Sequence, residues 1–498
     1  MQRNKIILFY PKPEMYGENL LPLNLMAIAR MLDSKQYDIK IINATVENDY
    51  VDTILNEMKQ GNVLCLGVTS MTGYQIHDAL KVTKTVKRYF SDVPIIWGGY
   101  HPTLLPKETL MDDSVDIVVR GQGEITFKLL IENLFDKKSL DEISGISYKT
   151  AEGEVRHNPD RPFEDLNKFP SLPWQFVDDC YVKKDAQWGR TIEYFTSQGC
   201  PFNCGFCAEK IFANKQWVSL SSERVVNEIE MLKNKYSLDA IIVRDSNFFV
   251  SKNRVKNICE DIIKRKIQIK FIAVNARIDT LLGYNDEMLK LIYAAGFRDL
   301  LIGVESGSQK VLDMIDKRIK VSDTLEFFKK ISQYNFSIFA SLMIGLPGID
   351  SKEEFEDTLD LLDQMLLYSR KGVSNSYIFH YTPYPGSFLY KRAIQYGFIA
   401  PDSLEQWSKM NLYNRKSPWV SSQYKKYVNY LSLYVLRRFF YPVQSRTHLI
   451  RLLYDKIIDP VFMWRWKHRY FDFFFEKQII DSINFMGRLM LKLKKLKH

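Results

Sequence analysis

Cys200-Pro201-Phe202-Asn203-Cys204-Gly205-Phe206-Cys207 holds three of the chain's six cysteines in eight positions, directly after an apolar run at 192–197. The spacing is C-x3-C-x2-C. Three thiolates on one tight loop can face one metal centre, and soft thiolates select iron–sulfur clusters or zinc. A structural zinc site needs a fourth ligand. Cys180 lies in a Pro-rich passage and Cys259 in a helical pattern, so neither is at hand in the sequence. Three ligands leave one iron of a 4Fe–4S cluster open to a substrate or cofactor. Zinc with a distant fourth ligand is the alternative.

Outward from this loop, six apolar runs read as strands: 192–197, 239–244, 269–275, 299–304, 337–344 and 375–382. Helical patterns start near Ser222, Lys252, Asp286, Gln309, Ser322 and Ser351. Ser221-Ser222-Glu223-Arg224 has cap chemistry, and Ser351 three residues before Glu354 reads as a capping box. Six β/α units predict a barrel or part of one, with its site at the C-terminal strand ends. Polar and glycine residues gather at those ends: Arg244-Asp245-Ser246-Asn247-Phe248, Asn275-Ala276-Arg277-Ile278-Asp279, Gly303-Val304-Glu305-Ser306-Gly307-Ser308, Gly345-Leu346-Pro347-Gly348 and Pro383-Tyr384-Pro385-Gly386. Each has a plainer reading. The two glycine–proline stretches make turns, and Glu305 pairs with a Lys or Arg in the next helix.

Toward the N-terminus a second series alternates strands at 5–10, 37–43, 62–70, 93–99 and 116–121 with helices at 21–32, 51–59, 74–89 and 124–134. Ile- and Val-rich strands separated by helices mean a parallel sheet covered on both faces, here a five-stranded doubly wound domain. Its strand ends read Thr69-Ser70-Met71-Thr72, Gly98-Gly99-Tyr100-His101-Pro102 and Arg120-Gly121-Gln122-Gly123-Glu124. Glycines there let backbone approach a ligand, and Glu124 opens a helix. Pro11 and Pro13 follow the first strand where a nicotinamide-binding fold carries G-x-G-x-x-G, and no phosphate-binding G-x-x-x-x-G-K-S/T occurs.

The cysteine loop resembles the signature of the radical S-adenosylmethionine (SAM) enzymes, including the aromatic Phe206 before the last cysteine. The resemblance implies a partial (β/α)6 barrel, a [4Fe–4S] cluster on Cys200, Cys204 and Cys207, and SAM bound through the open iron. It makes Phe206, Asp245, Ser246, Arg277, Glu305 and Ser306 candidates for holding SAM. Asp245 and its neighbours would meet the amino group or ribose, and Arg277 a carboxylate. The first domain, with Leu21-Pro22-Leu23-Asn24-Leu25, Gly98-Gly99-Tyr100-His101 and the 115–124 segment, resembles the cobalamin-binding domain of one branch of that family. There Thr69, Ser70, Gly98, Gly99, His101, Gly121, Gln122, Gly123 and Glu124 are candidate cobalamin contacts, Gln122 standing where the branch usually has Glu. No D-x-H-x-x-G loop is present. His77 is read as a helix-surface residue and His101 as a loop contact, so cobalamin is expected base-off with no histidine ligand. The resemblance spans about 1–395.

The expected architecture is α/β. Residues 1–140 form a Rossmann-like cobalamin domain, 141–189 a Pro-rich linker (Pro159, Pro162, Pro170, Pro173), 190–395 the radical SAM barrel, and 396–498 a mostly helical C-terminal domain. The composition, 46% hydrophobic and 26% charged, is that of a globular chain. The net charge of +10 is uneven, because residues 415–498 hold 18 Lys/Arg against 5 Asp/Glu. A main body without basic excess argues against nucleic acid as partner. The basic segment is also aromatic, with Phe439-Phe440-Tyr441, Trp464-Arg465-Trp466 and Phe473-Phe474-Phe475, and ends in alternating Leu and Lys at 490–497. Packing on the barrel is its first reading. Peripheral contact with an anionic membrane is its second.

No targeting segment or run of about 20 apolar residues is seen, and six cysteines are too few for a disulfide scaffold. The expected protein is a cytoplasmic, anaerobic enzyme served by an electron donor of flavodoxin or ferredoxin type. The first activity implied is methyl transfer to an unactivated carbon of a hydrophobic or lipid-like small molecule. Oxidative cyclisation with the same cofactors is the alternative, and an iron–sulfur redox sensor without turnover is a third reading. No catalytic side chain is assigned from the sequence.

Overall fold

The computed structural model describes residues 3–13, 19–368, 373–410, 417–440 and 459–471, with isolated positions 456, 478 and 482, and with backbone only at 373–375 and 433–440. The aromatic run at 473–475, Tyr441 and the alternating segment 490–497 lie outside the described residues.

The N-terminal sheet has seven strands in the order β2-β1-β3-β4-β5-β6-β7. These are β1 (Asn4–Tyr10), β2 (Tyr37–Asn43), β3 (Val63–Thr69), β4 (Ile95–Gly98), β5 (Ile117–Val119), β6 (Ile146–Lys149) and β7 (Val155–His157). The first five are parallel. Ile6, Ile7, Leu8 and Phe9 of β1 are all fully buried, as a central strand covered on both faces requires. The strand order reverses between β1 and β3, where doubly wound sheets open a crevice at their carboxyl ends. The glycine-rich ends of β4 and β5 and the helix Leu23–Ala29 meet there.

The five strands expected from the sequence are extended by two. β6 and β7 add antiparallel to β5, inside the stretch read as a linker. Gly145 (φ +91°) turns the chain back onto β5, and the two strands are short edge elements that precede the Pro-rich strap. The strap then crosses to the barrel, burying Leu166, Phe169, Leu172 and Trp174.

The barrel strands are β9 (Gly189–Tyr194), β12 (Ala240–Val243), β13 (Lys270–Ile272), β14 (Val274–Ala276), β15 (Asp299–Glu305), β16 (Ser337–Ile344) and β17 (Val373–His380), all parallel to their neighbours, with β8 (Lys183–Asp185) antiparallel on the edge. The third expected strand is broken in two at Ala273, whose φ is +54°. Asp299 Oδ2 accepts the Ala273 N–H at 3.1 Å. Counting that broken strand once, six units remain and the barrel is partial. Helix starts at Ser222, Lys252, Asp286, Gln309 and Ser351 fall where the periodicity places them. The cap at Ser351 does not follow the expected box. Asp350 Oδ1 accepts from Lys352 N and Glu353 N at 2.8 and 3.0 Å. Glu354 instead turns into the core and accepts the Gly345 N–H at 2.8 Å.

The C-terminal helices Leu404–Trp407, Ser422–Phe440 and Asp459–His468 are packed on the body. Tyr424, Tyr427, Tyr430, Phe462 and Phe471 form ring contacts among themselves and with Phe355 of the helix Ser351–Tyr368. These aromatics are core, the plain reading of their spacing. Among the described residues no helix is long and apolar enough to cross a membrane.

Candidate functional site

The cysteine loop is clamped at its base. β10 (Ser197–Gly199) and β11 (Trp217–Ser219) pair antiparallel and bring residues 199 and 217 together. Gly199 (φ +81°) is required there, since a Cβ would stand 2.2 Å from the Gln216 carbonyl. Cys200, Cys204 and Cys207 are all half-buried. Burial raises the Cys200 thiol and pushes Cys207 up to about 12, so thiolates here need a positive partner. Arg277 supplies one, with Nη1 3.1 Å from Cys204 Sγ and its guanidinium 4.0 Å from the Phe202 ring centroid.

Among the described residues no three His, Cys, Asp or Glu side chains converge as ligands of a single ion. A zinc site requires that convergence. A cubane cluster does not, because each thiolate binds a different iron and the ligands surround a volume. Three thiolates on this loop fit an iron–sulfur cluster with one open iron.

The strand-end candidates of the barrel are gathered near this loop, but with their polar atoms engaged. Arg277 pairs with Asp279 at 2.8 Å and donates to the Lys317 carbonyl at 2.6 Å. Lys317 Nζ in turn bonds Glu305 Oε1 at 2.6 Å in a buried ion pair. Glu305 holds a φ of +68°, a left-handed backbone that a non-glycine residue keeps only under constraint. Ser306 is fully buried and its Oγ accepts the Ser308 N–H at 3.1 Å. Asp245 is fully buried and accepts from Thr196 N at 2.5 Å, and from Thr196 Oγ and Ser197 Oγ at 2.6 Å each. It ties the ends of β9 and β12 together. Phe206 packs against the main core. Ser246 alone of the six SAM candidates lines the cavity described next.

That cavity, about 290 Å³, lies between the two α/β units. From the first domain its wall includes Thr69, Gly98, Gly99, Gly121, Gln122, Gly123 and Glu124. From the barrel side come Ser197, Gln198, Gly199, Glu209, Phe212, Arg244 and Ser246. Its glycines are a cradle. Cβ atoms would lie 2.8 Å from the Ser70 carbonyl at Gly99 (φ +99°) and 3.3 Å from Ile28 at Gly123, while Gly121 (φ +66°) has open space to 3.8 Å. Leu23, Ile28, Ile96, Val119 and Phe127 give it an apolar wall. The residues fit a large, flat, mainly apolar cofactor approached by backbone.

Ser70 and His101, also expected here, do not line the cavity. Ser70 contributes backbone, its carbonyl accepting the His101 N–H at 3.1 Å. His101 points away from the cavity, fully buried, with Nδ1 3.0 Å from Thr72 Oγ1 and its ring edge-on to Trp407 at 5.5 Å. Burial lowers its pKa to about 3, so it stays neutral. His77 is exposed on the helix Tyr74–Tyr89.

Two polar bridges across the cavity escaped the sequence. Arg30 pairs with Glu124 at 2.9 Å, Gln198 Nε2 donates to Glu124 at 3.0 Å, and Gln122 Nε2 donates to Gln198 at 2.9 Å. Gln122 also accepts from Glu164 N of the strap at 2.6 Å. On the other side Tyr100 of the first domain donates its phenol to Glu209, two residues beyond Cys207, and stacks on Phe212 at 4.4 Å. Both bridges join residues at least 42 positions apart, which no local pattern signals.

Residues 15–131 match the B12 binding domain model and residues 194–362 the radical SAM superfamily model. This chain is a radical SAM enzyme with a B12-binding domain. Its cofactors are a [4Fe–4S] cluster, SAM and cobalamin. An uncharacterized methyltransferase of Pyrococcus horikoshii is 28% identical over 446 residues, covering 87% of this chain and 93% of its own length. The anaerobic magnesium-protoporphyrin IX monomethyl ester cyclase of Synechocystis sp. is 25% identical over 388 residues, covering 76% of this chain and 75% of its own. Among solved structures, the radical SAM methyltransferase TsrM of Kitasatospora setae, with cobalamin and a [4Fe–4S] cluster bound, superposes with a TM-score of 0.65 at 16% identity, covering 80% of this chain and 76% of its own. That likeness is one of fold.

Proposed function

We propose that this enzyme transfers a methyl group to an unactivated carbon of a small, hydrophobic substrate. One observation carries the reading: the glycine cradle of the first domain and the flanks of the cysteine loop are walls of one cavity. The methyltransferase relative, aligned over nearly its whole length, supports methylation over cyclisation. When bound, the cofactors supply the electron, the hydrogen-abstracting radical and the methyl group, and the protein supplies binding, orientation and a dry site.

Cys200, Cys204 and Cys207 hold the cluster. Arg277 neutralises the loop beside Cys204 and fixes its outer edge. Gly98, Gly99, Gly121 and Gly123 let backbone close on a planar cofactor. Glu305, held by Lys317, and Ser246 are the polar groups offered to SAM, while Asp245 positions the strand ends beneath them. Glu124, Gln122 and Gln198 keep the two halves in register, and Tyr100 with Glu209 closes the gap between cradle and loop.

The test uses anaerobically reconstituted protein with methyl-deuterated SAM, a reductant and a panel of apolar acceptors. Product gaining the labelled methyl supports the proposal. Deoxyadenosine formed in step with an unmethylated, ring-closed product refutes it in favour of cyclisation. Peripheral membrane contact is a second proposal, supported by Trp464 and Tyr470, 53% and 44% exposed beside Lys467 and His468. Salt-sensitive sedimentation with phosphatidylglycerol vesicles, lost in Trp464→Ser, is the expected result. Equal recovery in the supernatant with and without vesicles refutes it.

A further inference from the structure

Arg244 is the only cation among the described residues that line the cavity between the two α/β units. It follows β12 on the concave face of the barrel. Ile241 and Val243 are buried under the helices, whereas Ile242 is half-buried and Arg244 exposed. Successive side chains of a strand take opposite faces, so Ile242 and Arg244 share the inner one. Glu193 of β9 pairs in register with Ile242 and shares that face.

The charge of Arg244 is not cancelled there. Glu193, with a side chain 5% exposed, accepts from Arg244 Nη2, from Lys183 Nζ at 3.2 Å and from Leu21 N at 3.2 Å. One carboxylate thus serves two cations. The acids of the cavity wall are otherwise occupied: Glu124 is paired with Arg30, and Glu209 takes the Tyr100 and Ser246 hydroxyls. Among the described residues the Arg244 guanidinium bonds Glu193 alone, and 40% of its side chain is exposed. A planar fork tied at one nitrogen keeps its remaining donors for a carboxylate or phosphate. Arg277, the cation expected from the sequence to take a carboxylate, has its donors on Asp279, the Lys317 carbonyl and Cys204.

The inner face of β15, β16 and β17 is largely apolar and is not filled. Register pairs set Leu301 beside Phe339 and Ser341 beside Tyr377. Leu301, Phe339, Tyr377 and Phe379 are half-buried, and the last two rings lie 4.5 Å apart. On the opposite face Leu300, Ile338 and Ile378 are fully buried. A closed barrel packs its interior with layers of side chains. This partial barrel leaves an apolar, aromatic inner wall uncovered, with Arg244 at its rim.

We propose that the substrate carries an anionic group, a carboxylate or phosphate, taken by Arg244, and lays its apolar body along the inner wall. The inference deepens the proposed function and rests on it for the cavity's being the substrate site. It narrows a hydrophobic substrate to an amphiphilic acid.

The test is calorimetric binding to anaerobically reconstituted protein holding cluster and cobalamin. The probes are decanoate, decyl phosphate and the neutral decanamide. In the parent the two anions should bind about tenfold or more tighter than the amide, as a charge-assisted hydrogen-bonded pair provides. Arg244→Gln should remove that preference, with decanamide affinity and iron content unchanged. Arg244→Lys should keep part of it, having the charge without the fork. Phe379→Ala should weaken all three probes alike. No preference in the parent, or the same preference in Arg244→Gln, overturns the inference and leaves the apolar site standing. Labelled SAM, measured by equilibrium dialysis, should bind Arg244→Gln as it binds the parent. A tenfold loss of SAM with the decanoate preference intact would assign the fork to the carboxylate of SAM and overturn the inference as well. A parent that binds none of the probes overturns the cavity as a site for apolar substrates, and both readings with it.

Discussion

The two halves of the site are built in opposite ways. The first domain presents absence: glycines, an apolar wall and a cavity, with seven of its nine expected contacts on the lining. The barrel presents side chains already satisfied, and of its six expected SAM contacts only Ser246 faces that cavity. A site made by backbone keeps its shape without a ligand. A site made by charged side chains in a low-dielectric interior must give each charge a partner, or its burial would be too costly. Asp245, Arg277 and Glu305 accordingly hold Thr196, Asp279 and Lys317.

If that contrast is right, the largest single effect sits where neither device suffices. Cys204→Ser removes one of the three cysteines proposed to hold the cluster and the sulfur that faces Arg277. Its iron content after reconstitution and desalting should fall from about four per chain toward zero, with SAM cleavage lost and cobalamin binding retained. Loss of cobalamin in the same variant would mean that the two halves are not separate sites.

Breaking a satisfied pair should cost more stability than filling the cradle. Lys317→Met leaves Glu305 buried without its cation, at 9% side-chain exposure, and should destabilise the fold by about 3–5 kcal/mol. Glu305→Gln in the same chain should recover part of that. Urea unfolding of the single and double variants measures both, and a single variant within about 0.5 kcal/mol of the parent would show that the pair is not closed in solution.

Filling the cradle should act on binding first. Gly99→Val places a branched side chain at φ +99° against the Ser70 carbonyl. A stability loss of about 1–3 kcal/mol is expected from the backbone alone. Cobalamin affinity should drop about tenfold or more, with iron content unchanged. Unaltered cobalamin affinity would move that cofactor away from Gly98–Gly99.

What was legible in the sequence follows the same division. β2 and β16, the helix Tyr74–Tyr89 and most barrel helix starts were set by apolar periodicity and local caps, and the structure keeps them. The cysteine loop and the glycine-rich strand ends were legible because their chemistry is local. Lys317, Gln198, Glu209 and Tyr100 were not, since each matters through a partner that only the fold delivers. β6 and β7 were hidden because prolines just beyond them pulled the whole stretch toward a linker. Glu354 fits a cap by its spacing from Ser351, and helix-start statistics say nothing about a carboxylate that turns inward to Gly345.

The pH dependence separates the two halves by sign. His101 of the first domain has its pKa lowered by burial from 6.5 to about 3. Its neutral form is favoured by folding, so its contribution is complete above pH 6.5 and is lost as pH falls toward 3. Glu354, behind the barrel's Gly345 turn, is raised by burial from 4.5 to about 8. Its protonated form is favoured, so its contribution is complete below pH 4.5 and is lost as pH rises toward 8. Each slope is at most about 1.4 kcal/mol per pH unit. Between pH 4.5 and 6.5 the two oppose each other. Between 6.5 and 8 only the Glu354 slope remains of this pair, so Glu354→Gln should flatten the decline of melting temperature there and leave the slope below pH 4.5 untouched. His101→Gln should do the reverse, relieving the acid side and leaving the decline above 6.5. A Glu354→Gln protein that still loses stability between pH 6.5 and 8 as steeply as the parent would place the alkaline sensitivity on another group and overturn the claim that the two halves respond to pH with opposite sign through this pair.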